Sequence, residues 1–69
     1  MNNYTIIIEK TDTGFSAYVP DLPGCITVGD TVEETRSYIK EAIELYIDQL
    51  KSEGKPAPEP TTISEVISV

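Results

Sequence analysis

The fold is decided by the stretch Phe15-Ser16-Ala17-Tyr18-Val19-Pro20-Asp21-Leu22-Pro23-Gly24-Cys25-Ile26-Thr27-Val28-Gly29-Asp30-Thr31-Val32-Glu33-Glu34. Residues 15–19 and 26–28 are rich in β-branched and aromatic side chains, which predicts two strands. The loop between them is rigid, because its two prolines fix φ and Gly24 permits a tight bend. Thr31 and Glu34 then form a capping box, which predicts that a helix begins there.

The flanking residues extend this pattern in both directions. Residues 4–9 predict a first strand, and the turn at residues 11–14 predicts a hairpin with the second. Beyond the capping box, apolar residues recur at spacings of three and four, which predicts a helix over residues 32–53 with Gly54 just past its end. A proline-rich connector follows, and residues 66–69 are β-branched enough for a last strand. The periodic apolar residues of the helix are Ile39, Ala42, Ile43, Tyr46, Ile47 and Leu50.

The rules for connections between strands predict how these elements are arranged in the sheet. A right-handed crossover places the last strand parallel to the first, at its free edge. We therefore expect one α+β domain over residues 1–69, with the element order β-β-β-α-β, the sheet order 3-2-1-4 and one long helix on one face. The predicted core face carries Ile6, Ile8, Phe15, Ala17, Val19, Ile26 and Val28.

The opposite face of the sheet has no helix to cover it. It keeps Ile7 and Tyr18, and exposed apolar patches often mark contacts, so these two residues are our candidates for self-association. The alternative is that they are two scattered apolar residues without a role. A chain of 69 residues buries only about 60% of its unfolded surface, and small domains usually add disulfides, a metal or a partner. Since the chain has one cysteine and no histidine, we expect a homodimer or a higher homo-oligomer.

The charge balance restricts the partners further. Twelve acidic and five basic residues give a net charge of −7, which disfavours direct nucleic-acid binding and attracts a basic protein. The alternative is that the acids only keep a small domain soluble. The N-terminus has no signal-peptide pattern and no apolar run approaches a membrane span, so we expect a cytoplasmic protein.

No complete catalytic set is visible in the sequence. A serine or cysteine nucleophile needs an adjacent base, usually histidine, and Cys25 has no neighbouring cation to lower its pKa. Converging carboxylates could hold two metal ions, but the helix-start acids already complement the helix dipole. We therefore expect no enzyme, no cofactor and no metal site, and keep a degenerate metal-dependent ribonuclease as an alternative. Its candidate carboxylates are Glu9, Asp21, Glu33, Glu34 and Glu65.

The combined motifs resemble the HicB-like antitoxin family over nearly the whole chain. The matching residues are the run 14–25 (GFSAYVPDLPGC), the run 29–34 (GDTVEE), the run 42–46 (AIELY) and the proline-rich segment. The resemblance implies a partial ribonuclease H-like domain that self-associates and neutralises a small basic RNA-cleaving HicA-type toxin by covering its active surface. Many members add a C-terminal DNA-binding module, and we expect none here. An orphan homo-oligomeric domain without a toxin is a second alternative.

The partner-binding residues are predicted from exposure and charge. The loop contributes Asp21, Leu22 and Pro23, although Leu22 would be buried if the loop folds back as a lid on the core. The helix contributes the acids Glu41, Glu44 and Asp48, for which ordinary solvation is the alternative explanation.

Overall fold

Three strands and one helix make up the computed structural model, which describes residues 3–69. Strand β1 spans Ile7–Lys10, β2 spans Phe15–Tyr18 and β3 spans Ile26–Gly29, and helix α1 spans Val32–Ser52. The predicted α+β class, three antiparallel strands followed by a single long helix, is confirmed. Helix α1 is not apolar enough to cross a membrane, and no other helix occurs in the described residues.

The strands form an antiparallel sheet in the order β1-β2-β3. Ile7 pairs with Tyr18 between the first two strands, and Tyr18 pairs with Ile26 between the second and third. The turn of the first hairpin is closed by two bonds: the Thr11 N–H donates to the Gly14 carbonyl at 2.9 Å, and the Gly14 N–H donates to Thr11 Oγ1 at 3.0 Å. The register places alternate residues of each strand on opposite faces of the sheet.

Both ends of α1 are capped as the sequence predicts. Thr31 Oγ1 accepts a hydrogen bond from the Glu34 N–H at 3.1 Å, which satisfies one of the free donors of the first turn. At the other end Gly54 has a positive φ of 71°, and the N–H of Lys55 donates to the Leu50 carbonyl at 2.9 Å. This left-handed glycine with a backward bond is a Schellman-type ending.

The first turn of α1 is pressed against the end of β3. A Cβ atom at Gly29 would lie 2.5 Å from Thr35 Oγ1 and 3.1 Å from Thr35 Cα, so this approach requires glycine. Thr35 is fully buried and its hydroxyl donates to the Thr31 carbonyl at 2.7 Å. From this contact the helix runs over β3 and β2, and it touches β1 least.

The buried core lies between α1 and the inner face of the sheet. Its fully enclosed members come from β2 and the residue after it, from the β2–β3 loop and from the helix: Ala17, Val19, Leu22, Cys25 and Ile39. The loop folds back over the core, because the Leu22 N–H donates to the Val19 carbonyl and the Cys25 N–H donates to the Leu22 carbonyl. Leu22 therefore closes one end of the core like a lid.

The predicted orientation of β3 is wrong. Ile26 and Val28 are 64% and 67% exposed, and they lie on the face opposite the helix. The reason is that Cys25, directly after the loop, takes the buried position. Strict alternation then turns Ile26 outward, Thr27 inward and Val28 outward.

The predicted fourth strand is absent from the described residues. Residues 66–69 join no ladder, so the sheet has three strands and the order 3-2-1-4 is not seen. High β-propensity creates a strand only where a neighbouring edge supplies hydrogen bonds. Here the chain is instead held at residues 61–62, beyond which every side chain is exposed.

Most of the bonds that hold residues 61–62 come from one carboxylate, and we name this arrangement the Asp21 clamp; the Thr5 hydroxyl adds a bond to the Thr62 carbonyl at 3.1 Å. Asp21 Oδ2 accepts from the backbone N–H groups of Thr61 and Thr62 at 3.2 and 3.1 Å. Asp21 Oδ1 accepts from their hydroxyls at 3.1 and 2.8 Å. These bonds, those from Thr62 above all, hold the pKa of Asp21 below its usual value.

We expect Leu22→Ala to destabilise the protein by about 2–5 kcal/mol, because it removes a fully buried side chain and leaves a cavity. Pro23→Ala is the matched control, since Pro23 is exposed in the same loop. The measurement is chemical denaturation followed by circular dichroism. Equal stabilities for the two variants would contradict the lid position of Leu22.

We expect the Asp21 clamp to open in acid. Because the clamp lowers the pKa of Asp21, its contribution is complete above the unfolded value of about 3.9 and is lost as the pH falls through the lower folded value. Amide hydrogen exchange at Thr61 and Thr62 should therefore accelerate on acidification relative to the exchange of α1 amides. In Asp21→Asn the same amides should exchange fast at neutral pH, and unchanged protection in this variant would contradict the clamp.

Candidate functional site

The predicted loop contacts are only partly available to a partner. Both carboxylate oxygens of Asp21 are engaged by Thr61 and Thr62 of the same chain. The sequence analysis allowed Leu22 to be either exposed in the loop or buried against the core. In the structure it is buried, so its side chain belongs to the core. Pro23 is exposed and is the loop residue that a partner could reach without rearrangement.

The predicted helix acids form one continuous surface. Glu41, Glu44 and Asp48 are all exposed, and their spacings of three and four residues align them along one side of α1. We call these three residues the acidic helix face. None of them is part of an ion pair in the described residues, so their carboxylates face solvent.

A groove runs beside the acidic helix face, because α1 packs over β3 and β2 and leaves β1 largely uncovered. It consists of two adjoining cavities of about 450 and 440 Å³. Its floor is apolar and its rim is charged, and we call it the α1–β1 groove. The floor is formed by Tyr4, Ile6, Ile39, Ile43 and Ile47, and the rim by Arg36, Lys40, Glu44, Asp48 and Lys51, while Asn3 and Ala57 complete the lining.

The loop borders a different surface. A shallow cavity of about 350 Å³ is lined by Pro23 together with Tyr18 and Ile26, and it shares no residue with the α1–β1 groove. The structure therefore does not bring the loop and the acidic helix face into one site. It joins the loop instead to the sheet face that points away from the helix.

That sheet face is more apolar than the sequence analysis predicted. Tyr18 lies between Ile7 and Ile26 in the register, and Val28 stands opposite Ser16 on the next pair. We call Ile7, Tyr18, Ile26 and Val28 the outer face. Ile26 and Val28 were missed as surface residues, although the alternation counted from a buried Cys25 would have found them.

The arrangement offers little for catalysis. In residues 3–69 no three acidic, cysteine or histidine side chains come together in a way that could hold a metal ion. Of the candidate carboxylates, Asp21 is used by the clamp, and Glu9 lies opposite Ser16 in the register, on the side of the sheet that points away from the helix. Cys25 is buried, and burial raises the pKa of its thiol, which disfavours the reactive thiolate.

Comparison with known proteins identifies one family and several relatives. The family described as HicB-like antitoxin of bacterial toxin-antitoxin systems matches residues 4–69. A UPF0150 protein of Synechocystis sp. is 46% identical over 68 residues, which cover 97% of this chain and 86% of that protein. Antitoxin HicB 2 of Photorhabdus laumondii is 31% identical over 62 residues; the match covers 90% of this chain but only 45% of that longer protein.

A solved structure extends the likeness from sequence to fold. A chain of a HicA3 and HicB3 toxin-antitoxin complex superposes with a TM-score of 0.73 and 38% sequence identity. The match covers 87% of this chain and 70% of that chain. Three antiparallel strands followed by one helix are therefore the HicB-like arrangement, and the chain belongs to the HicB-like antitoxin family.

Proposed function

We propose that this protein is an antitoxin that binds a small basic RNA-cleaving toxin of the HicA type and neutralises it by covering its active surface. The observation that carries the proposal is the match, at 38% identity, to a chain of a HicA3 and HicB3 complex. The family membership and the relative named Antitoxin HicB 2 support the same role. The protein acts by binding, without catalysis of its own.

The acidic helix face is the surface that we assign to the toxin. A net charge of −7 raises the encounter rate with a basic protein, and exposed carboxylates not paired within the chain then select the docking surface. Glu41, Glu44 and Asp48 meet this condition. Pro23 belongs to a separate surface and is not required for this contact.

The wider assignments follow from the same role. We propose that residues 1–69 act as one HicB-like domain, whose three strands and helix correspond to part of a ribonuclease H-like fold. A partner that cleaves RNA has its substrate in the cytoplasm, and we place the protein there.

We further propose that two copies associate through the outer face. Its apolar residues are contiguous across all three strands, and Tyr18, Ile26 and Val28 are 39%, 64% and 67% exposed. Among strand residues on this side only Glu9 is charged, so two acidic chains can approach here with the least repulsion. A second copy offers the same patch, as a twofold interface requires.

We expect the double variant Glu41→Lys and Asp48→Lys to bind the toxin at least about tenfold more weakly, because it reverses the charge of the acidic helix face. The toxin to use is the small basic protein that co-purifies with this chain, and the measurement is calorimetric titration of the purified partners. Loss of protection in an RNA-cleavage assay should accompany the weaker binding.

The matched control is Asp12→Lys with Glu59→Lys, which changes the net charge equally at two exposed positions away from the helix. We expect this control to change the affinity by less than about threefold. Equal losses for both pairs would show that only net charge matters. Absence of any basic protein that co-purifies would contradict the antitoxin role itself.

We expect Tyr18→Arg to abolish association through the outer face, since it places a charge at the centre of an apolar contact. Sedimentation velocity should show a lower mass for this variant than for the unmodified protein at micromolar concentration. Tyr38→Arg on the exposed side of α1 is the control and should keep the original mass. A monomeric unmodified protein would contradict self-association.

A further inference from the structure

Strand β3 lies at one edge of the sheet, and on one of its two sides it pairs with no strand in residues 3–69. The Val19 N–H donates to the Cys25 carbonyl at 3.1 Å, so the backbone groups of Cys25 face β2. Because this direction alternates along an antiparallel strand, Ile26 and Val28 turn their N–H and C=O groups to the unpaired side. We call this row of free backbone groups the β3 edge.

The β3 edge lacks the features that usually keep a free edge from pairing. Natural edge strands carry charges, proline or a bulge for this purpose. Residues 26–29 are Ile-Thr-Val-Gly, without a charge or a proline. The other edge strand, β1, carries Glu9 and Lys10, and the chain also passes beside its start, where the Thr5 hydroxyl donates to the Thr62 carbonyl. Pairing with a further strand is therefore favoured at β3.

The side chains near the β3 edge are apolar and uncovered. Ile26 and Val28 are exposed on β3, and Tyr38 and Leu45 are exposed on α1. Tyr38 and Leu45 are about two helical turns apart, so they share one side of α1, and neither lines the α1–β1 groove. This side of the molecule thus combines free backbone groups with exposed apolar side chains, which are the two elements that strand addition uses.

The charge on this side is acidic. The pKa of Tyr38 is raised, first by its hydrogen bond with the Glu34 carboxylate and then by the negative charges of Asp30 and Glu41, so three acids lie close to it. The basic residues of the chain lie on β1, beside the groove and past the helix end: Lys10, Arg36, Lys40, Lys51 and Lys55. A second copy would bring the same acids together here, whereas a basic partner complements them.

We propose that the basic toxin adds one of its strands to the β3 edge, an inference that rests on the proposed function. The backbone groups of Ile26 and Val28 pair with that strand. Basic side chains of the toxin lie against Asp30, Glu34 and Glu41. Main-chain bonds then supply affinity, and the acids select a basic strand.

Strand addition agrees with the other two surfaces. Glu41 belongs to the acidic helix face as well, so the β3 edge and that face form one continuous interface for the toxin. The added strand lies beside β3 in the plane of the sheet and does not cover the outer face. A second copy can therefore occupy the outer face while the toxin is bound.

Amide hydrogen exchange followed by nuclear magnetic resonance tests the proposal. The amides of Ile26 and Val28 should exchange fast in the unbound protein, and the small basic protein that co-purifies with this chain should slow them at least about tenfold. Thr27 faces β2 and is the reference that is slow in both states. By the same alternation the N–H groups of Ile8 and Lys10 face the free side of β1, and they should stay fast.

The outcomes separate this inference from the proposed function. Toxin that binds without protecting Ile26 and Val28 overturns strand addition and leaves the antitoxin role in place. Protection that appears without toxin, as the concentration of the chain rises, assigns the β3 edge to a second copy and overturns the proposal. A chain that binds no basic protein removes the proposed function and this inference with it.

A pair of variants tests the main-chain bonds themselves. Val28→Pro removes a free N–H without removing a bond to β2, and proline is tolerated on the open side of an edge strand. Val28→Ala also shortens the side chain but keeps the N–H, so it is the matched control. We expect Val28→Pro to bind the toxin at least about tenfold more weakly than Val28→Ala, with unchanged circular dichroism. Equal affinities of the two folded variants would overturn the proposal.

Discussion

Contact between a single helix and one face of a three-stranded sheet is the constraint on which the rest of this structure depends. Gly29 lets the first turn of α1 approach β3 closely, and Thr35 and Ile39 are buried in the contact. From this starting point the helix covers β3 and β2 far better than β1. One helix cannot also cover the opposite face, so the fold leaves apolar surface exposed on two sides.

These uncovered surfaces are the ones through which we propose that so small a protein binds its partners. The outer face is apolar and nearly free of charge, whereas the acidic helix face carries carboxylates that are not paired within the chain. The first suits a second copy and the second suits a basic partner. In the proposed function, such a division lets the protein associate with a second copy and bind its toxin with different sides of one domain. The Asp21 clamp and the Thr5 hydroxyl hold Thr62 against the body of the domain, and the apolar residues Ile63, Val66, Ile67 and Val69 that follow are exposed.

The features that the sequence predicted correctly are those set by short local motifs. The caps at Thr31 and Gly54 are short-range motifs, and both ends of the helix were predicted to within about a residue. Features that depend on contacts between residues far apart in the sequence were harder to predict. The outward turn of Ile26 and Val28 depends on Cys25 filling the core, and the absent fourth strand depends on where Asp21 holds the chain. The groove was not foreseen, because it results from the position of α1 over β3 and β2, which leaves β1 largely uncovered.

The central claim is that the surfaces left uncovered by α1 become buried between chains. Hydroxyl-radical footprinting of the unmodified protein over a range of concentrations tests it most directly. The account predicts that labelling of Tyr18, Ile26 and Val28 falls as the concentration rises, while labelling of the exposed helix residue Tyr38 stays constant. Labelling of all four residues that is independent of concentration would contradict it.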